Sequence, residues 1–242
     1  MQPSRIVSQE EWLNARRALL DKEKAYLREG DALAAERRAL PWVKVERDYV
    51  FDTPSGPRTL AELFGDRSQL IVHHLMFAPD WNAACPGCSF QAEHIDGPAP
   101  HLERHDVRVV AVSRAPLDKI LAYKARMGWA FAWVSARDED FSRDFKVYFT
   151  ADEVSRGRID YNFGTITTEA RYIAQDLPGL SVFHKDAEGV VCHTYSTYAR
   201  GLDALLGTNH YLDVTPEGRN RAAYPNWPRR RDEYDLAGSS QH

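Results

Sequence analysis

The sequence predicts an α/β fold in which a mixed sheet is flanked by helices, and three observations support this prediction. Apolar runs typical of buried strands alternate with helical segments between residues 69 and 147, a pattern that favours neighbouring parallel strands. Two alternating apolar segments then flank a turn at residues 187–189, which predicts an antiparallel hairpin. An amphipathic helical segment precedes the first strand.

The chain is long enough for a substantial core, with 242 residues and a hydrophobic content of 43%. We expect one domain with extensions. Its parts are a helical arm at residues 1–41, the α/β domain at residues 42–215 and a tail at residues 216–242. Turn-forming and aromatic residues are frequent at about residues 148–178, which predicts an insertion before the hairpin.

The N-terminal arm is expected to be helical. Ser8 and Glu11 have the spacing of a capping box, and Pro41 is expected to end the helical region. Gly30 and Asp31 are expected to interrupt it. Apolar pairs recur every seven residues at Trp12/Leu13, Leu19/Leu20, Tyr26/Leu27 and Leu33/Ala34. This recurrence leaves open packing on the same chain or a homodimer through the arm, and the side-by-side apolar residues favour the first alternative.

The remaining elements follow from local patterns along the chain. The expected strands are, in chain order, WVKVERDYVFD as one long strand or a strand pair, QLIVHHLMF, VRVVAVS, WAFAWVS and the two halves of LSVFHKDAEGVVCHTYSTY. The expected helices are TLAELFG, a segment that begins at a cysteine pair and is broken at residues 96–98, PLDKILAYKARMG, a charged stretch that ends near residue 147, and LDALLG.

Charge and hydropathy disfavour two classes of partner. The net charge is −4, and the dense basic run at residues 229–231 is followed directly by acidic residues, so we expect no nucleic-acid partner. The longest apolar run, residues 70–77, contains two histidines and is too short to span a bilayer. The N-terminus carries no apolar signal region. We therefore expect a cytoplasmic protein with no membrane partner.

Two cysteines, Cys85 and Cys88, follow a buried strand at the start of a predicted helix. The free N–H groups and positive dipole end of a helix start favour a thiolate, which is the reactive form of a cysteine. Cys88 lies three residues further on the same helix face and can reach the Cys85 sulfur, while Pro86 suits the first helical turn. The pattern predicts a pair that cycles between dithiol and disulfide.

Zinc binding is the main alternative for this segment. Cys85, Cys88, His101 and His105 match the spacing C-x2-C-x12-H-x3-H, which can supply four tetrahedral ligands. The segment lacks the aromatic residue and the leucine that usually form the small core of such a zinc finger, so redox chemistry is favoured. A redox-inactive adaptor that recruits a partner through the arm is the third interpretation.

Several segments resemble a bacterial family of predicted dithiol-disulfide oxidoreductases with no established physiological role. They are QLIVHHLMF, DWNAACPGCS, VRVVAVSRAPLDKILAYKARMGW, LSVFHKD, HTYSTYARGLD, YLDVTPEGR and WPRRRDEYD. That family is similar to thioredoxins and to the alkyl hydroperoxide reductase and thiol-specific antioxidant group. The resemblance implies a thioredoxin-like fold with the cysteine pair at a helix start.

Departures from these relatives concern the residues around the cysteines. Thioredoxins carry a tryptophan directly before the first cysteine, whereas here the nearest one is Trp81. Peroxiredoxins carry Pro-x-x-x-Thr-x-x-Cys, whereas this chain has Asn82 at the threonine position and Pro79 one residue out of register. These departures favour disulfide exchange over peroxide reduction.

We expect Cys85 to attack a substrate disulfide and Cys88 to resolve the mixed disulfide that forms. The residues expected to contribute to substrate binding are Trp81, Pro86, Gly87, Arg114 and Pro178. Pro178 is the candidate for the cis-proline that thioredoxins place beside their cysteines. We expect no metal or organic cofactor. The expected partners are a disulfide-containing protein or small thiol substrate and a reductant that the sequence does not identify.

Overall fold

The computed structural model describes residues 5–157, 159–164, 174–220, 222, 224 and 227–234. Parts of the predicted insertion and of the predicted tail lie outside the described residues. The chain divides into two units, Met1–Pro41 and Trp42–His242. Each unit is described by itself.

The first unit consists of one helix, α1 (Gln9–Arg38). Ser8 caps it, and the reciprocal hydrogen bonds of the predicted capping box with Glu11 are both present. The predicted interruption at Gly30 and Asp31 is wrong, because α1 continues through both residues. One glycine costs a helix about 1 kcal/mol, which is too little to break a well-capped helix of 30 residues. The homodimer through this arm stays a prediction.

The second unit is built on an eight-stranded mixed sheet. Its strands are β1 (Val43–Lys44), β2 (Val50–Thr53), β3 (Gly56–Thr59), β4 (Gln69–His74), β5 (Val107–Ser113), β6 (Ala132–Ala136), β7 (Gly179–Lys185) and β8 (Val191–Tyr198). The strand order is β1-β8-β7-β4-β5-β6-β2-β3. β4, β5 and β6 are parallel, and the other pairings are antiparallel. The predicted fold class, an α/β mixed sheet flanked by helices, is confirmed.

Seven helices flank this sheet in the described part of the unit. They are α2 (Leu60–Leu63), α3 (Pro86–Ala92), α4 (Ala99–Glu103), α5 (Leu117–Met127), α6 (Asp140–Asp144), α7 (Ala151–Ser155) and α8 (Gly207–Asp213). 3-10 helices lie at Ala199–Leu205 and Arg231–Glu233. The predicted break at residues 96–98 separates α3 from α4.

Apolar side chains cover both faces of the central strands. Leu70, Val72 and Val110 belong to one buried cluster, whereas Ala111 belongs to a second cluster that also contains Cys88. Neighbouring residues of a strand point to opposite faces, which is why Val110 and Ala111 separate in this way. The second cluster therefore holds the start of α3 at the carboxyl end of β4. Within the described residues, no helix combines the length and the apolar character needed to cross a bilayer.

Candidate active site

The cysteine pair lies where β4 passes into α3. Cys85 is the N-cap residue of α3, and Pro86 occupies the first helical position. The Cys85 N–H group donates to the Met76 carbonyl oxygen at 3.0 Å, which ties the helix start to the segment that follows β4. The sequence prediction of a helix start at Cys85 therefore agrees with the geometry.

The Cys85 thiol is partly exposed and is stabilised as an anion. A hydrogen bond from the Cys88 thiol lowers the pKa of Cys85 to about 6, against the opposing effect of partial burial. The N–H groups of Cys88 and Gly87 and the positive charge of Arg230 act in the same direction. At neutral pH, Cys85 is therefore mostly thiolate.

The Cys88 thiol has the opposite character. Its side chain is 3% exposed, and the Met76 N–H group donates to its sulfur at 3.2 Å. The hydrogen bond to Cys85, burial and the negative charge of that neighbour raise the pKa of Cys88 well above its ordinary value. One helical turn thus carries a partly exposed thiolate and a buried, protonated thiol.

A hydrogen-bond network holds the backbone around Cys85. The Ser89 hydroxyl donates to the Cys85 carbonyl oxygen at 2.9 Å and also contacts the Tyr123 hydroxyl at 2.8 Å. Arg230 donates from Nε and Nη2 to the Ala84 carbonyl oxygen, at 3.0 and 2.8 Å. Arg230 therefore holds the backbone of the residue that directly precedes Cys85.

The sequence does not single out Arg230, because residues 229–231 have only the pattern of a basic run. Neighbouring contacts anchor the same segment: Arg231 donates to Glu93 at 3.1 Å, and Asp232 pairs with Arg126 at 2.6 Å. The signal in the sequence is a basic run followed directly by acidic residues in WPRRRDEYD, which indicates ion pairing but does not identify a partner.

Two buried histidines, His73 and His74, lie at the end of β4. His73 Nδ1 lies 2.9 Å from Gln91 Nε2 of α3, and His74 Nε2 lies 2.9 Å from Ser181 Oγ. Burial lowers the pKa of His73 to about 4 and that of His74 to about 3. Both imidazoles are neutral at pH 7 and supply no positive charge to the Cys85 thiolate.

Three of the five predicted substrate residues lie in α3 or shortly before it, and the other two lie next to strands β5 and β7. Trp81 packs against the apolar cluster that contains the cysteines, and Pro86 and Gly87 form the first turn of α3. Arg114 directly follows β5 at the same edge of the sheet. Pro178 directly precedes β7. A role of these five residues in substrate binding stays a prediction.

Arg114 is engaged by protein groups. Its Nε and Nη2 atoms donate to the two carboxylate oxygens of Asp176, each at 2.9 Å, and Nη1 donates to Glu139 at 2.9 Å. Its guanidinium also lies 3.6 Å from the centre of the Tyr148 ring. The arrangement joins β5 to the region of the predicted insertion.

Pro178 does not carry the cis peptide that its position suggested. The cis peptide bond among the described residues is Trp227–Pro228, and the bond before Pro178 is trans. The Pro178 carbonyl oxygen accepts a hydrogen bond from the Tyr161 hydroxyl at 2.5 Å. Pro178 directly precedes Gly179, which pairs with His74 at the end of β4, the strand that comes before the cysteine segment.

The four residues of the zinc pattern do not come together. His101 is part of α4 and is exposed, as is His105 beyond its end, whereas the Cys88 sulfur is buried against the Met76 backbone. Within the described residues, no group of three or more histidine, cysteine or acidic side chains has a geometry suited to a metal ion. The geometry therefore does not support the zinc interpretation.

Solved structures of three bacterial proteins are similar to this chain. Peroxidoxin BcpB from Mycobacterium tuberculosis is 16% identical with a TM-score of 0.45, covering 70% of this chain and 94% of that chain. A cysteine-to-serine mutant of Xanthomonas campestris peroxiredoxin Q is 18% identical with a TM-score of 0.42, covering 67% and 90%. A cysteine-to-serine mutant of PrxQ from Xylella fastidiosa is 14% identical with a TM-score of 0.42, covering 69% and 89%.

The sequence comparisons identify a family without a known activity. No curated protein matches the sequence. Residues 1–234 match the family described as "Bacterial protein of unknown function (DUF899)", and the chain belongs to this family.

Proposed function

We propose that this member of the DUF899 family is a thiol-disulfide oxidoreductase in which Cys85 attacks and Cys88 resolves. The contrast between the two thiols carries the proposal: Cys85 is partly exposed with a pKa of about 6, whereas Cys88 is buried with a raised pKa. A thiolate is the nucleophile in disulfide exchange, so Cys85 reacts first. Cys88 is protonated at this stage and reacts only in the second step.

The reaction transfers two electrons in two steps. First, the Cys85 thiolate attacks one sulfur of a substrate disulfide, so that a mixed disulfide forms and the other substrate sulfur leaves as a thiolate that takes a proton from water. Second, Cys88 releases its proton and attacks the Cys85 sulfur, which frees the remaining substrate thiol. The substrate is reduced and the cysteine pair is oxidised to a disulfide. An external dithiol reductant restores the pair.

The first step prepares Cys88 for the second. The hydrogen bond to the Cys85 thiolate and the charge of that thiolate both raise the pKa of Cys88. Both contributions disappear when the Cys85 sulfur becomes part of a neutral mixed disulfide. The pKa of Cys88 therefore falls at the stage when its thiolate is needed.

A single-turnover reaction with 5,5′-dithiobis(2-nitrobenzoate) tests the proposal. In a Cys192→Ser background, which leaves only the pair, each reduced chain should release two coloured thiolates. Adding Cys88→Ser should leave rapid release of one and a mixed disulfide on Cys85 that mass spectrometry detects. Adding Cys85→Ser should slow release at least about tenfold, because the remaining thiol is buried and protonated.

Two outcomes would contradict the proposed roles. Faster release from Cys85→Ser than from Cys88→Ser would reverse attack and resolution. Release from the background protein no faster than from free cysteine at the same pH would favour the redox-inactive adaptor. The Cys192→Ser background itself should match the wild type in rate, because Cys192 lies in β8 and takes no part in the contacts of the pair.

A further inference from the structure

A groove of about 690 Å³ lies beside the start of α3. Gly87 and Phe90 of α3 form one wall. The other walls come from the 3-10 helix at Ala199–Leu205, from α8 and from Trp227. Sites for small molecules in proteins commonly occupy about 300–1,000 Å³, so the groove has the size of a small-molecule site.

The groove reaches the reactive sulfur at Gly87. A side chain at this position would begin 3.8 Å from Cys85 Sγ, which is an ordinary van der Waals distance. The uncovered side of Gly87 therefore adjoins the sulfur. A ligand that lies in the groove against Gly87 is placed to present a disulfide to Cys85.

Asn209 supplies an unpaired acceptor in the wall of the groove. This residue lines the groove and is 3% exposed. Its Nδ2 donates to Asp203 Oδ1 at 2.5 Å, which fixes the amide orientation because the reverse orientation would set two oxygens against each other. Among the described residues, Asn209 Oδ1 has no hydrogen-bond partner. A donor from a ligand would relieve the cost of this buried acceptor.

Among the described residues that line the groove, Arg219 is neutralised by neighbouring carboxylates, whereas Arg200 is available to a ligand. Arg219 is neutralised by Asp213 at 2.6 Å and by Asp203 at 2.9 Å. The Arg200 side chain is 90% exposed and lies 3.8 Å from Asp203, whose carboxylate is already shared with Arg219 and Asn209. Arg200 can therefore pair with an anionic group of a ligand at the mouth of the groove.

We infer that the groove binds a small peptide disulfide, with its carboxylate on Arg200 and an N–H group directed to Asn209 Oδ1. A peptide of this kind carries the anion and the donor that the groove lacks, together with the disulfide that Cys85 attacks. Its apolar atoms can pack on Phe90 and Trp227, whose ring centres are 5.0 Å apart. The inference rests on the proposed function and names the substrate class of the same site.

Three disulfide probes test this inference on the full-length reduced protein. They are oxidised cysteinylglycine, its C-terminal amide, which lacks the carboxylate, and 2-hydroxyethyl disulfide, which lacks all of these groups. We expect the wild type to favour the free peptide over its amide by about fivefold in kcat/KM, mainly through KM, which is the scale of one partly exposed ion pair. Arg200→Gln should remove this preference, so that the free peptide and its amide react with similar kcat/KM, whereas Arg200→Lys should retain most of it.

The matched control is Arg104→Gln, which removes another exposed arginine away from the groove and should change none of the three rates. If Arg200→Gln slows all probes equally, or if the free peptide and its amide react equally in the wild type, the substrate class is wrong while the proposed function stands. If none of the probes is reduced, both the inference and the proposed function fail.

Discussion

Two polar clusters lie at the same edge of the sheet but differ in how completely their charges are covered. Cys85 follows β4, and Arg114 follows the neighbouring parallel strand β5. The Arg114 guanidinium is paired at two points with Asp176 and stacked on Tyr148. The Cys85 sulfur is stabilised by neighbouring donors but stays partly exposed.

The difference follows from the shapes of the partners. A carboxylate matches the guanidinium fork, so Asp176 and Arg114 compensate each other and only about a tenth of each side chain is exposed. The donors to Cys85 come from within its own helical turn, and Gly87 has no side chain to cover the sulfur. The two clusters therefore share a position at this sheet edge, and they differ in how far the charged group is covered by its partners.

The largest expected effect is a loss of stability when the ion pair between Arg114 and Asp176 is broken. Arg114→Met should lower the free energy of unfolding by about 3–5 kcal/mol in urea denaturation, because Asp176 would be left as a buried carboxylate without its cation. Glu139→Gln removes the other carboxylate of Arg114, whose side chain is 52% exposed, and should cost less than about 1 kcal/mol. Equal losses in the two variants would contradict the assignment of Arg114 to a structural pair.

The next effect concerns the stabilised anion. In Cys88→Ala, the pH midpoint for alkylation of Cys85 by iodoacetamide should rise from about 6 toward the ordinary thiol value of about 8.5, because the largest cause of the lowered pKa is removed. Arg230→Gln should raise the midpoint less, because its charge is a smaller cause. Mass spectrometry of the labelled Cys85 peptide gives both midpoints. A larger shift in Arg230→Gln would reverse this order of causes.

The sequence predicted the parts of the fold whose signals are local. The continuous apolar run of β4 and the hairpin turn, where Gly189 has a φ of 85°, are of this kind. β3 was missed, because it is a short strand with Pro57 and its signal lies in its partner β2. A proline is tolerated there because β3 is at the edge of the sheet.

The residues of the candidate site could likewise be predicted only where their sequence signals are local. Cys85 and Cys88 could be paired from the sequence because both lie on one helical turn. Arg230 could not, because 146 residues separate it from Ala84 and its run of charges fits any exposed ion-paired segment. Asn209 could not either, because an unpaired buried oxygen is a property of packing and has no sequence signature.

The smallest expected effect is a dependence of the free energy of unfolding on pH, which the Cys85 thiolate causes in the reduced protein. Cys85 has a lower pKa in the folded protein, about 6, than the roughly 8.5 of an unfolded thiol, so the unfolded chain binds more protons between these values. The stabilisation from its thiolate is fully present above the unfolded pKa and is lost as the pH falls through about 6.

Comparison of the reduced wild type with Cys85→Ser isolates this contribution. From pH 6 to pH 8, the wild type should gain on the order of 1 kcal/mol in free energy of unfolding over the variant, a value reduced from the full pKa difference because Cys85 is partly exposed. Measurements stop at pH 8 because the raised pKa of Cys88 opposes the trend at higher pH. Urea denaturation under a reducing agent provides the data. Parallel curves for the two proteins would show that the Cys85 thiolate is not stabilised by the fold, and the proposed nucleophile would lose its main support.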